Sequence, residues 1–103
     1  MKRFDVCSAV RFGGSGRDRL VLVLQHEALT DLSTVIAAPL FKPDELPPVP
    51  GLRPLITMDG QRWVVAMDRM ASLPRRQLGK AAGNLEGDRD VFVRCIDLIF
   101  TGF

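Results

Sequence analysis

Asp68 and Arg69 stand a few positions before the tandem Arg75-Arg76. A carboxylate beside several guanidinium groups is a set that can cleave a phosphodiester, the carboxylate moving protons while the guanidiniums hold the phosphate. The same residues suit a strand end, where charges are simply solvated, and that is the expected role. His26 is the sole histidine, which excludes a histidine-based metal cluster or a Ser-His-Asp triad. It reads as a polar turn residue. Cys7 and Cys95 stand far apart, without partners at metal-ligand spacing, and are expected as two buried thiols rather than a disulfide. The stretch "RFGGSGR" sets glycines beside arginines but lacks the Lys-Ser/Thr ending of a phosphate loop. With no tyrosine and one tryptophan, a stacking platform for single-stranded nucleic acid is poorly supplied. Neither catalysis nor a metal or cofactor is expected from this set.

A chain of 103 residues is near the commonest domain size, so residues 1–103 are expected to form one domain. An apolar fraction of 47% with 25% charged residues is ordinary for a folded globular protein. The net charge of +2 is too small to argue for nucleic acid on its own. "MKRFDVCSAV" alternates instead of running apolar, and no stretch approaches the ~18 apolar residues of a membrane span. Neither a leader nor a membrane segment is expected, and the location expected is cytoplasmic.

The elements that must position any site begin with a strand. Alternation over Arg3 to Val10 puts Phe4, Val6, Ser8 and Val10 on a buried face and Asp5, Cys7 and Ala9 on the other. "RFGGSGRDR" follows as a flexible hairpin loop with little to bury. The continuous apolar run Leu20 to Leu24 is a central strand buried on both faces, and Thr34 to Phe41 is another, with Pro39 marking its edge or end. "KPDELPPVPGLRP" holds five prolines and is a stiff surface loop. Asp59-Gly60 suits the positive φ angles of a tight turn, so Leu55–Met58 and Gln61–Met67 pair as a hairpin. "DRMASLP" continues extended to Pro74. Residues 75–87 hold at most a short strand and a loop.

A helix closes the pattern, with Asp88 or Asp90 at its N-terminus and Gly102 where a left-handed C-terminal residue is wanted. Its polar positions Asp90, Arg94, Asp97 and Thr101 form one narrow stripe, spaced for Asp90–Arg94 and Arg94–Asp97 pairs. The remaining positions up to Phe100 are apolar, so this helix needs cover on more than one side. The chain's own sheet supplies one side, and the excess calls for a partner. The class is α+β, a small antiparallel barrel or sandwich with one helix against it.

Trp63, Asp68, "MASLP" at Met70–Pro74 and Leu78-Gly79 together resemble the CcdB family, the toxins of plasmid-type toxin–antitoxin modules. "VLQHE" (Val23–Glu27), "APL" (Ala38–Leu40) and the closing "IDLIFTGF" match the same family, so the resemblance spans essentially the whole chain. It implies an SH3-like antiparallel β-barrel of the CcdB, Kid and MazF type with a C-terminal helix, assembled as a homodimer. The implied action is binding without catalysis: the dimer engages the A subunit of DNA gyrase and traps its covalent cleavage complex. A partly disordered CcdA-like antitoxin neutralises it. DNA is then met only through gyrase or an antitoxin complex. The family's poisoning residues carry over to Thr101, Gly102 and Phe103, with Asp97, Phe100, Ala28 and Leu29 as neighbouring contacts. Where the family often has an aromatic residue before the glycine this chain has Thr101, and Phe103 brings aromatic area one position beyond it.

Two other readings remain open at this point. One is an endoribonuclease of the Kid and MazF type, with Arg and Asp of the 68–76 region as its machinery. The other is an inactive chromosomal relative that only binds an antitoxin.

Overall fold

The computed structural model describes residues 1–12, 17–29 and 31–102. Among these residues seven strands and one α-helix follow one another: β1 (Asp5–Ala9), β2 (Arg19–Val23), β3 (Thr34–Phe41), β4 (Leu55–Met58), β5 (Gln61–Val65), β6 (Ala71–Pro74), β7 (Leu78–Asn84) and α1 (Arg89–Thr101). They form one antiparallel sheet in the order β4-β5-β3-β2-β1-β7, with β6 also on β3. The sheet curls into a half-barrel until its outer strands meet, where Met58 Sδ lies 2.8 Å from the place of a Cβ on Gly83.

β3 makes the curl. Its first half pairs with β6, from Thr34 opposite Pro74 to Ala37 opposite Ala71, and its end pairs with β5, Leu40 opposite Val65. Pro39 sits between the two, inside a strand paired on both sides, and so marks neither an edge nor an end as the sequence suggested. Its carbonyl accepts from the Ala66 N–H at 2.9 Å, so its missing N–H falls where β6 has stopped and β5 begins. A proline costs no ladder bond there.

Two apolar layers flank the sheet. Val6, Leu22, Leu24, Ala38, Leu40 and Val65 face α1, where Phe4 stacks on Phe92 at 5.7 Å between ring centres. Each of the Val, Leu and Phe side chains, fully buried, contributes roughly 1.5–3 kcal/mol. Cys7, Ala9, Val21, Val23, Val35 and Ala37 point the other way, under Phe12, Leu73 and Leu78. β1 therefore departs from the expected pattern: Cys7 and Ala9 are buried while Ser8 and Val10 are exposed. Pairing on both edges, with β2 and β7, places it inside the sheet, and its register slips twice against β7.

The Asp59-Gly60 turn is as expected, with φ of 53° and 77°, although the strand after it ends at Val65. Met67–Arg69 forms a 3-10 turn, so the expected unbroken extension to Pro74 is interrupted before β6. The largest departure is β7, seven residues long where only a short strand and loop were foreseen. Phe12 is buried, so the loop's start does pack, and the glycines at 13, 14 and 16 lie outside the described residues. Gly102 caps α1 in the left-handed region at φ 79°, its N–H donating to the Leu98 carbonyl at 3.1 Å. Asp88 occupies the N-cap position without a side-chain capping bond.

Candidate functional site

The last turns of α1 are fixed from beneath. Phe92 and Cys95 are buried, Ile96 and Ile99 are half-buried against the core, and Val93 is half-buried. Leu98 approaches Gly51 of the proline-rich loop so closely that its Cδ2 is 3.1 Å from where a Cβ would stand. That loop is tied down in turn. Arg53 Nε and Nη2 donate to the two Asp68 oxygens at 3.1 and 2.8 Å, a bidentate pair. The pair holds the Asp68 carboxyl below the usual aspartate range and raises Arg53.

On this platform Phe100 is 69% exposed, Asp97 faces solvent, and the Thr101 hydroxyl donates back to the Asp97 carbonyl. Gly102 then turns the backbone away from the helix axis. Phe103 lies outside the described residues. Ala28 and Leu29 belong to a 3-10 turn, Glu27–Leu29, whose Ala28 N–H donates to His26 Nδ1 at 3.0 Å. Leu29 is half exposed. His26 is thereby the polar turn residue expected.

The expected contact residues are thus not brought to one place in a single chain. His26 and Glu27 line a cleft of about 710 Å³ with Arg3, Asn84 and Arg89, which puts their turn beside the first turn of α1. Thr101 lies at the other end of the helix, about 18 Å along its axis at 1.5 Å per residue. One chain presents two separated patches, exposed Leu29 and Leu32 at one and Leu98 and Phe100 at the other.

The candidate cleavage set does not converge either. Asp68 is engaged by Arg53, Arg69 lies over the Phe41 ring at 5.3 Å, and Arg75 Nε donates to the Leu32 carbonyl at 3.0 Å beyond β6. The helix pairs Asp90–Arg94 and Arg94–Asp97 are not formed; the ion pairs among the described residues are Arg19–Glu45, Arg53–Asp68 and Arg89–Glu86. Exposed pairs of that kind are worth so little that solvation competes with them. Both thiols are buried, and burial pushes each above the ordinary cysteine range, with Asp5 adding to the effect at Cys7. Among the described residues no His, Cys, Asp and Glu gather into a metal-binding group, and no helix is long and apolar enough to cross a membrane.

Sequence reasoning missed the Arg53–Asp68 tie and a groove on Leu20, Leu40 and Trp63. Arg17 and Arg19, two cations one residue apart at the start of a strand, were the available signal for the second.

The described residues form a curled antiparallel half-barrel with one helix across it and exposed apolar side chains in two separate places. The chain belongs to the CcdB family: the sequence pattern described as CcdB protein matches residues 3–102. No curated protein matches in sequence. Among solved structures the chain is similar to an endoribonuclease in complex with its cognate antitoxin from a mycobacterial species, at 16% identity and a TM-score of 0.75, covering 94% of this chain and 91% of that one. It is also similar to the Mycobacterium tuberculosis toxin MazF-mt6, at 22% identity and a TM-score of 0.69, covering 93% and 95%. These likenesses establish the barrel.

Proposed function

We propose that this toxin acts by binding: as a homodimer it engages the A subunit of DNA gyrase, traps the cleaved DNA complex, and is released by a CcdA-like antitoxin. The observation that carries the reading is Phe100, an aromatic side chain 69% exposed beside the left-handed Gly102 on a helix end whose underside packs on the core. A rigid platform presenting an exposed aromatic anchor is the arrangement a protein–protein hot spot uses. Membership of the CcdB family supports it.

The proposed contact set is Asp97, Phe100, Thr101, Gly102 and Phe103, with Ala28 and Leu29 at the second patch. This reading assigns the two patches, which one chain keeps apart, to a surface shared between two copies. Exposed Val91 and Leu98 on α1 give such an assembly apolar area to cover. No bond is made or broken by the toxin in this reading.

Deletion of Thr101 to Phe103 tests it. Loss of gyrase A binding with the melting temperature unchanged supports the reading, and undiminished toxicity overturns it.

The second reading is an endoribonuclease, favoured by the MazF likeness of the barrel. Its foreseen carboxylate is occupied, since both Asp68 oxygens accept from Arg53. Incubation with a mixed RNA separates the two, because only this reading yields fragments.

A further inference from the structure

The cleft of about 710 Å³, the volume of a small-molecule site, lies where the N-terminal segment, the His26 turn and the start of α1 meet. One of its walls holds a strained residue. Phe4 is buried at φ 67°, a region that a bulky side chain rarely enters. Its N–H donates to the Val23 carbonyl at 2.7 Å, its carbonyl accepts from the Leu85 N–H at 2.9 Å, and its ring stacks on Phe92, so the conformation is held from three sides. Backbone strain of this kind collects at ligand clamps. Here Phe4 packs in the core while its neighbour Arg3 lines the cleft.

Arg3 is a fixed cation without a counter-charge. Its Nε donates to the Leu24 carbonyl at 2.9 Å and its guanidinium lies 4.7 Å over the Phe4 ring, and among the described residues no carboxylate pairs with it or with Lys2. His26 Nδ1 accepts the Ala28 N–H, so the ring carries its proton on Nε2 as a further donor. Two of the three acids lining the cleft are engaged. Asp5 accepts from the Lys2 N–H at 2.8 Å and from Asn84 Nδ2 at 2.9 Å, and Glu86 stands 3.7 Å from Arg89. Glu27 is the third, exposed on the turn. Among the described residues these carboxylates and His26 do not gather into a metal-binding group, so the groups left over in the cleft favour an anion.

We propose that this cleft binds a phosphorylated small molecule of mononucleotide size, its phosphate on Arg3 and Lys2 with a hydrogen bond from His26. A guanidinium already held in place loses little freedom on binding and offers its Nη donors to phosphate oxygens as a fork. One phosphate fills only part of the volume, which leaves the rest to the organic group. The inference goes beyond the proposed function, since binding here requires neither gyrase nor an antitoxin.

His26 is the only histidine in the chain, so its imidazole proton signals in the NMR spectrum report the cleft directly. The probe is AMP, titrated into the full chain at constant neutral pH. The expected result is a saturable shift of the His26 signals that weakens as salt is raised, while the indole signal of Trp63, which lines a different groove, stays in place. Inorganic phosphate is expected to bind about tenfold more weakly than AMP, and adenosine to move nothing. Arg3→Gln weakens AMP binding about tenfold and Lys2→Gln about threefold, whereas Glu27→Gln tightens it about threefold by removing a like charge.

His26 signals that ignore AMP, or answer adenosine equally, overturn the proposal. Inorganic phosphate binding as tightly as AMP overturns it too, because the organic group would then make no contact. Should Arg3→Gln fail to fold, unchanged affinity in Lys2→Gln and Glu27→Gln, both at exposed positions, overturns it alone.

Discussion

Leu98 of α1 and Gly51 of the proline-rich loop meet so closely that a Cβ on Gly51 would stand 3.1 Å from Leu98 Cδ2. The contact joins two segments far apart in sequence, the loop and the last turns of α1. Gly51 also has φ of 80°, a region that costs a side-chain-bearing residue about 1–2 kcal/mol.

Gly51→Ala is therefore expected to lower the unfolding free energy by about 1–2 kcal/mol, from backbone strain and crowding together. Gly87→Ala is the control, since its Cβ meets nothing within 4 Å. Urea unfolding that shows the two variants equal would remove Gly51 as the seat of the helix end.

The apolar positions of α1 divide into those that hold the helix and those that face outward. Phe92, fully buried against Phe4, should cost about 3–5 kcal/mol as Phe92→Ala. Phe100→Ala, at an exposed position, should change stability by no more than ~0.5 kcal/mol. The same variant is expected to weaken gyrase A binding about tenfold or more, as loss of an aromatic anchor does. Paired melting and binding measurements check both halves.

The Arg53–Asp68 pair makes stability depend on pH in a predictable direction. Asp68 is held below its ordinary value chiefly by the Arg53 hydrogen bonds. Its contribution is therefore fully present above the unfolded aspartate value of about 3.9 and is lost as pH falls through the lower folded value. Wild type should lose urea resistance across that acid window, and Asp68→Asn should show a shallower loss. Identical slopes would place the acid sensitivity elsewhere.

Cys7 and Cys95 are 2% and 1% exposed, and burial pushes both thiols up, so neither offers a thiolate at neutral pH. A thiol reagent such as DTNB is expected to label neither cysteine in the native protein and both in denaturant. Prompt native labelling at either would show that the outer layer around Cys7 or the helix seat at Cys95 opens readily.

Residue types displayed the fold where local chemistry dictates it. Asp59-Gly60 demanded a tight hairpin and Gly102 a helix stop, and both stand as expected; the buried strand expected at Leu20–Leu24 is found one residue earlier, at Arg19–Val23, with Leu20 only half-buried. β7 was illegible because Leu78–Asn84 is mostly Gly and Ala without alternation; its extension depends on β1, and the register slips between them erase any simple period. Pro39 misled for a related reason: whether a proline ends a strand depends on what neighbours its nitrogen, and here the neighbour changes at that position. The helix-end patch was legible from Phe100 and Gly102, which are close in sequence. The groove was not, since Leu20, Leu40 and Trp63 come from three strands that only the curl of β3 assembles.

In the proposed action this toxin traps cleaved DNA on gyrase and breaks no bond itself. The direct measurement incubates the purified protein with gyrase, supercoiled plasmid and ATP, then denatures the mixture with detergent and digests the protein. Linear DNA rising with toxin concentration to a plateau, and absent when gyrase is omitted, is the predicted result. Saturating toxin that leaves the plasmid unbroken while the same preparation cuts a mixed RNA into discrete fragments would contradict it.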